Sequence, residues 1–219
     1  ERMREAIEML SGTIRQQGLG RGRLEAAGEY AVPMLLAQIV DGRNPSVEIA
    51  STDVLVTIGR RSVLPLAMAL PDLDPSSQRK VCDILGQIGW PTAVPFLLEV
   101  YEQPTAPSDV REAASRGISR LGGTSGGVSD AFTSLARQFF RRDLPLIPYP
   151  DEPVNNIWVW DSYGGLTPTP VPTQIFADVM AMRLAERALR TNPANTEALA
   201  IFVAANLRRQ QDLAEGTVD

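Results

Sequence analysis

Histidine is absent from the 219 residues, and cysteine occurs once, as Cys82. Without imidazole the chain has no histidine general base, no imidazole metal ligand and no Cys/His dyad. One cysteine cannot close a disulfide within the chain, and a structural zinc site has almost nothing to draw on. No catalytic residue, metal ligand or cofactor site is therefore expected. Lysine is nearly as scarce: Lys80 stands beside 20 arginines, an even bias that reads as genomic codon preference. A balance of 21 Lys+Arg against 26 Asp+Glu leaves a formal net charge of −5. The basic excess that nucleic acid demands is missing, so no nucleic-acid partner is expected. No run approaches the roughly 18 to 20 consecutive apolar residues of a membrane span, so the chain is expected to be soluble, without membrane insertion. A single cysteine suits either side of a membrane, which leaves the compartment open. The first residue is Glu1 rather than Met, as in a processed product or a piece of a longer protein.

What is present is ordinary globular composition, 44% hydrophobic and 21% charged, carrying an internal repeat. The segments 31–36, 63–68 and 93–98 align on Pro33, Pro65 and Pro95. A second set, Pro45-Ser46, Pro75-Ser76 and Pro107-Ser108, keeps the same beat of about 31, as do Gly28, Gly59, Gly89 and Gly122. Each unit reads as two helices. The first carries an apolar stripe such as Val47, Ala50, Val54, Leu55 and Ile58, with the Ser after the Pro as its expected N-cap and the Gly as its stop. The second is expected to start at Ser62 or Thr92, which places the proline in the first turn, where its missing N–H has no intrahelical partner anyway. In the last unit Ser129 is the expected cap and Phe132 stands where the proline would be.

Such pairs bury their stripes only by stacking, and the expected result is an α-solenoid over residues 1–144. The layout, with phrases such as Ile88-Gly89-Trp90-Pro91-Thr92-Ala93-Val94-Pro95, resembles bacterial HEAT-like repeats of the subclass also found in phycobilisome lyases, over about residues 22–142. The helical rhythm stops at residues 145–173, a proline-rich connector that is nonetheless aromatic. There Ile157–Trp160 suits one short extended stretch, ended by Gly164-Gly165. Residues 174–219 read as a helical hairpin, with Thr173 as the expected cap. The phrase from Ala185 to Ala198 is similar to the inter-repeat junction of tetratricopeptide repeats, with Ala185, Val203 and Asn206 departing from that pattern. One hairpin forms no solenoid alone, so it packs on the preceding domain, on a second copy, or on residues beyond Asp219. The fold class expected is all-α: a right-handed solenoid of about four HEAT-like pairs, an irregular insert, and a tetratricopeptide-like hairpin.

Several features weigh little as chemistry. Asp72 with Asp74, and Asp151 with Glu152, sit in proline-bounded turns that favour acidic caps. The run 121–127 lacks the Gly-Lys-Ser/Thr ending of a phosphate loop. Cys82 belongs to an apolar stripe. The function expected is a non-catalytic protein-interaction scaffold, its partner and oligomeric state open. Its surface would be the outward side of the second helices, near 31–41, 63–70, 93–103 and 130–142, with Gln38, Glu99, Glu102, Arg137 and Arg141 as polar contacts. A second reading makes Trp158, Trp160 and Tyr163 a stacking platform for a sugar or small molecule; the competing reading is that these rings anchor the connector by burial. A bilin-lyase-like enzyme is a third reading, implied only by the repeat subclass.

Overall fold

The computed structural model describes residues 2–123, 125–161 and 165–213. By internal contacts the chain divides into two units, residues 1–123 with 158–167, and residues 124–157 with 168–219.

The first unit holds α1 (Arg2–Met9), α2 (Ile14–Ala27), α3 (Val32–Asp41), α4 (Pro45–Ile58), α5 (Arg60–Ala69), α6 (Pro75–Ile88), α7 (Val94–Glu102) and α8 (Ser108–Arg120). Helices α2, α4, α6 and α8 pack one on the next, and α1, α3, α5 and α7 form a second row. The rows meet where α3 touches α4, α5 touches α6 and α7 touches α8. Leu35, Leu36, Leu55, Leu66, Leu85, Phe96 and Leu97 are fully buried there. Each contributes about 1.5–3 kcal/mol that a lone helix pair would forfeit.

The helix starts differ from expectation. Ser46 and Ser76 are not caps: Asn44 Oδ1 accepts from the Val47 N–H at 3.4 Å, and Asp74 Oδ1 from Ser76 and Ser77 at 3.0 and 3.2 Å. Proline occupies the first helical position and holds the residue before it extended, which is N-cap geometry. Ser108 likewise is the first residue of α8, after Pro107. Ser62 lies inside α5, donating its hydroxyl to the carbonyls of Leu55 and Gly59 at 3.0 and 2.7 Å. Gly59, at φ 68°, turns the chain straight into α5, so that helix begins well before Pro65. Thr92 lies in a 3₁₀ turn, Pro91–Ala93, that leads into α7, where Pro95 does fall in the first turn. Close approach decides the spacing of α6 and α8. A Cβ on Gly86 would lie 2.9 Å from the Gly117 Cα, and one on Gly117 would lie 2.9 Å from Leu97 Cδ1.

The second unit holds α9 (Val128–Phe140), part of the hairpin formed by β1 (Val154–Asp161) and β2 (Gly165–Pro172), then α10 (Thr173–Thr191) and α11 (Thr196–Asp212). Helix α10 packs against both α9 and α11. Phe132, Phe139 and Phe176 fill the centre, Phe139 meeting Phe176 edge-on at 6.4 Å. Gly127 rather than Ser129 caps α9, and Ser129 turns inward to donate to the Ala188 carbonyl at 3.0 Å. Asn195 caps α11 through the Ala198 N–H at 3.0 Å while its amide group donates to Ser129 and Thr133, both at 2.9 Å.

The connector corrects the all-α expectation, because it forms a two-stranded sheet instead of one irregular stretch. The Thr173 N–H donates to the Pro153 carbonyl at 3.0 Å, so odd-numbered residues of β2 face β1. Pro168, Pro170 and Pro172 are even-numbered and exposed, and their missing N–H groups fall on the open edge, where no ladder bond is lost. Thr173 is not a cap; its hydroxyl donates to the Glu152 carbonyl at 2.6 Å and accepts from Asn155 Nδ2 at 2.8 Å.

Candidate functional site

In the first unit Gln38 lies half-buried on α3, Glu99 half-buried on α7, and Glu102 exposed at the end of α7. Helix α5 stands between α3 and α7 in their row. The side of α5 expected to be open is closed: Ser62 through Leu70 are buried without interruption. A helix apolar on all sides is covered on all sides. Polar side chains therefore flank α5 instead of forming one continuous strip with it.

In the second unit Arg137 Nε donates to Glu197 Oε1 at 2.6 Å, and Arg141, the residue that follows α9, is exposed. The hydrogen bond from Arg137 holds the Glu197 carboxyl below its ordinary range, and the charge of Arg141 acts in the same direction.

Trp158 takes the anchoring role. It is 2% exposed, and its indole N–H donates to Glu29 Oε2 at 3.3 Å. Glu29 is itself 1% exposed, in the turn before α3. A ring so covered offers no face to a ligand. Trp160 is half-buried. Tyr163 lies outside the described residues.

The remaining reactive groups are quiet. Cys82 is fully buried, and burial pushes its thiol up to about 12, so no thiolate forms near neutral pH. Asp74 serves as a cap, its carboxyl drawn below the ordinary range chiefly by the Ser77 side chain. The Asp151 and Glu152 pair lies in the turn before β1. Glycines 122, 123 and 126, all at positive φ, form the loop from α8 to α9. Among the described residues no group of three or more His, Cys, Asp or Glu side chains is placed to hold a metal ion, and no helix is long and apolar enough to cross a membrane.

One charged centre was not anticipated. Asp178 on α10 has no exposure, and its two oxygens are taken by different arginines. Oδ2 accepts from Arg142 Nη2 at 2.7 Å and Oδ1 from Arg208 Nε at 2.8 Å. Arg142 also pairs with Asp212, and Arg208 lies over the Phe140 ring at 4.1 Å while donating to the Phe140 carbonyl. A carboxylate with both oxygens engaged is a clamp between helices, not a base. Its signal in the sequence was an acid among Ile175, Phe176, Ala177 and Met180, where only apolar residues are expected.

None of the curated proteins matches this chain. Residues 32–119, which run from the start of α3 through nearly all of α8, match the family described as HEAT repeats.

Proposed function

We propose that this chain is a non-catalytic protein-interaction scaffold, with recognition contacts on each of its two units. HEAT repeats are commonly protein-interaction modules, and the stacked pairs α3 to α8 coincide with the stretch that matches that family. The observation that carries the reading is this stacking itself: two rows of helices hold side chains at repeated positions on a core that needs no ligand or metal. Four HEAT-like pairs and a tetratricopeptide-like hairpin are the organisation we propose. Gln38, Glu99 and Glu102 are the proposed contacts on the first unit, with Arg137 and Arg141 on the second. The partner would meet Glu99 and Glu102 with basic side chains, since both are acidic and Glu102 is exposed.

The test is quantitative affinity capture from the source organism, with the chain and with Glu99→Lys/Glu102→Lys as paired baits. A partner enriched on the native chain and reduced about tenfold on the charge-reversed one supports the reading. Recovery of the same proteins equally on both baits removes Glu99 and Glu102 from the surface. Nothing above background at high bait occupancy sinks the scaffold reading.

A further inference from the structure

Helix α11 buries Ala198, Ile201 and Ala205 against its own unit and leaves the opposite side open. On that side Leu199, Val203 and Leu207 are 51%, 48% and 55% exposed, one turn apart. At 100° per residue, Ala200, Ala204, Asn206, Gln210 and Gln211 extend this stripe to an arc of about 160° with no charged residue. Three charges of α11 are engaged away from it, Glu197 with Arg137, Arg208 with Asp178 and Asp212 with Arg142, while Arg209 donates to Asn206 at one margin of the arc, clear of the Leu199, Val203 and Leu207 stripe. An uncharged arc gives a strongly charged partner nothing to hold.

We propose that this face of α11 pairs with the same face of a second copy, antiparallel, about a twofold axis at Val203. The stripe reads the same in both directions. Reversal therefore sets Leu199 against Leu207 of the partner and Val203 against itself, which is what an isologous contact requires. Charge complementarity is met because no side chain in the arc can meet a like charge, and antiparallel helices oppose their dipoles. Alanines 200 and 204 beside the stripe let the two backbones approach. The footprint of a 17-residue helix, roughly 25 Å by 10 Å, is about 250 Å² per copy, well below the ~800 Å² of a stable dimer. The association is therefore weak, a contact that forms at high local concentration. Each copy carries a formal charge of −5. Added salt screens that repulsion and strengthens this pairing, whereas it would weaken an ionic interface.

Sedimentation equilibrium of the full chain, from about 10 µM to about 1 mM and in low and high salt, tests the proposal. The expected result is a mass that rises toward the dimer with concentration, more steeply in high salt, and a rise that Val203→Asp abolishes without changing the far-ultraviolet circular dichroism. Val203→Cys should form a covalent dimer with oxidised glutathione, while Ile49→Cys, at a still more exposed position on the first unit, should not. A monomer at every concentration in high salt, a dimer that Val203→Asp leaves intact, or one that salt dissolves each overturns it.

Discussion

In the first unit Arg21 pairs with Asp53, Lys80 with Glu48 and Arg116 with Asp83 where water reaches them, and the buried Glu29 takes the Trp158 indole N–H. The second unit places Asp178, with no exposure, between two arginines. A repeated helix pair meets nearly the same neighbour each time, so apolar shape and small residues such as Gly86 and Gly117 suffice to set its spacing. Three helices that meet once have no such redundancy. There a buried carboxylate admits only the arrangement in which both arginines arrive, at a desolvation cost that apolar packing avoids. We read the Asp178 centre as a device for specificity more than for stability.

The sharpest break of this contrast is Asp178→Ala. It should cost about 3 kcal/mol, at the low end for a broken buried pair, because Arg142 and Arg208 retain some access to water. Trp90, Trp158 and Trp160 all lie in the first unit. In urea, circular dichroism should therefore be lost ahead of tryptophan fluorescence in this variant, and coincident curves would show that the centre is not local to the second unit. The matching test in the first unit is Gly117→Val, whose new Cβ would lie 2.9 Å from Leu97 Cδ1 and 3.2 Å from the Cys82 carbonyl. Overpacking of that kind should cost about 2 kcal/mol and move the fluorescence transition first.

Smaller effects separate the surface contributions. Asp74→Ala removes the cap of α6 and should cost about 1 kcal/mol at neutral pH. Because the folded carboxyl titrates below its ordinary value, its contribution is complete above that value and is lost as pH falls through the depressed one. The gap between Asp74→Ala and the native chain should accordingly close in acid; a gap unchanged at low pH would mean the carboxylate is not the cap. Glu197→Gln should cost least, about 0.5 kcal/mol in thermal unfolding at low salt and nothing measurable at high salt, since its ion pair with Arg137 is half exposed.

The repeat was legible because Pro, Gly and the apolar stripes recur at one spacing, and a spacing survives errors in any single residue. Caps were less legible. A serine after proline has the right chemistry, but proline already occupies the first helical position and hands the cap to Asn44 or Asp74 one residue earlier. The anchoring of Trp158 followed from ring size alone, whereas its partner Glu29 lies 129 positions away, a pairing that no local pattern encodes. Strand β2 was hidden because its prolines suggested only the end of a helix, although their spacing of two is itself a strand period.

That spacing has a consequence for how copies of the chain can meet. A two-stranded ribbon ordinarily invites a third strand, and an identical ribbon is always at hand in a concentrated solution. Here the outer edge of β2 offers three residues with nothing to donate, and Asn156 and Trp158, which direct their backbone away from β2, are buried. Growth of the sheet from chain to chain is therefore opposed by the prolines along β2 and by burial at the middle of β1.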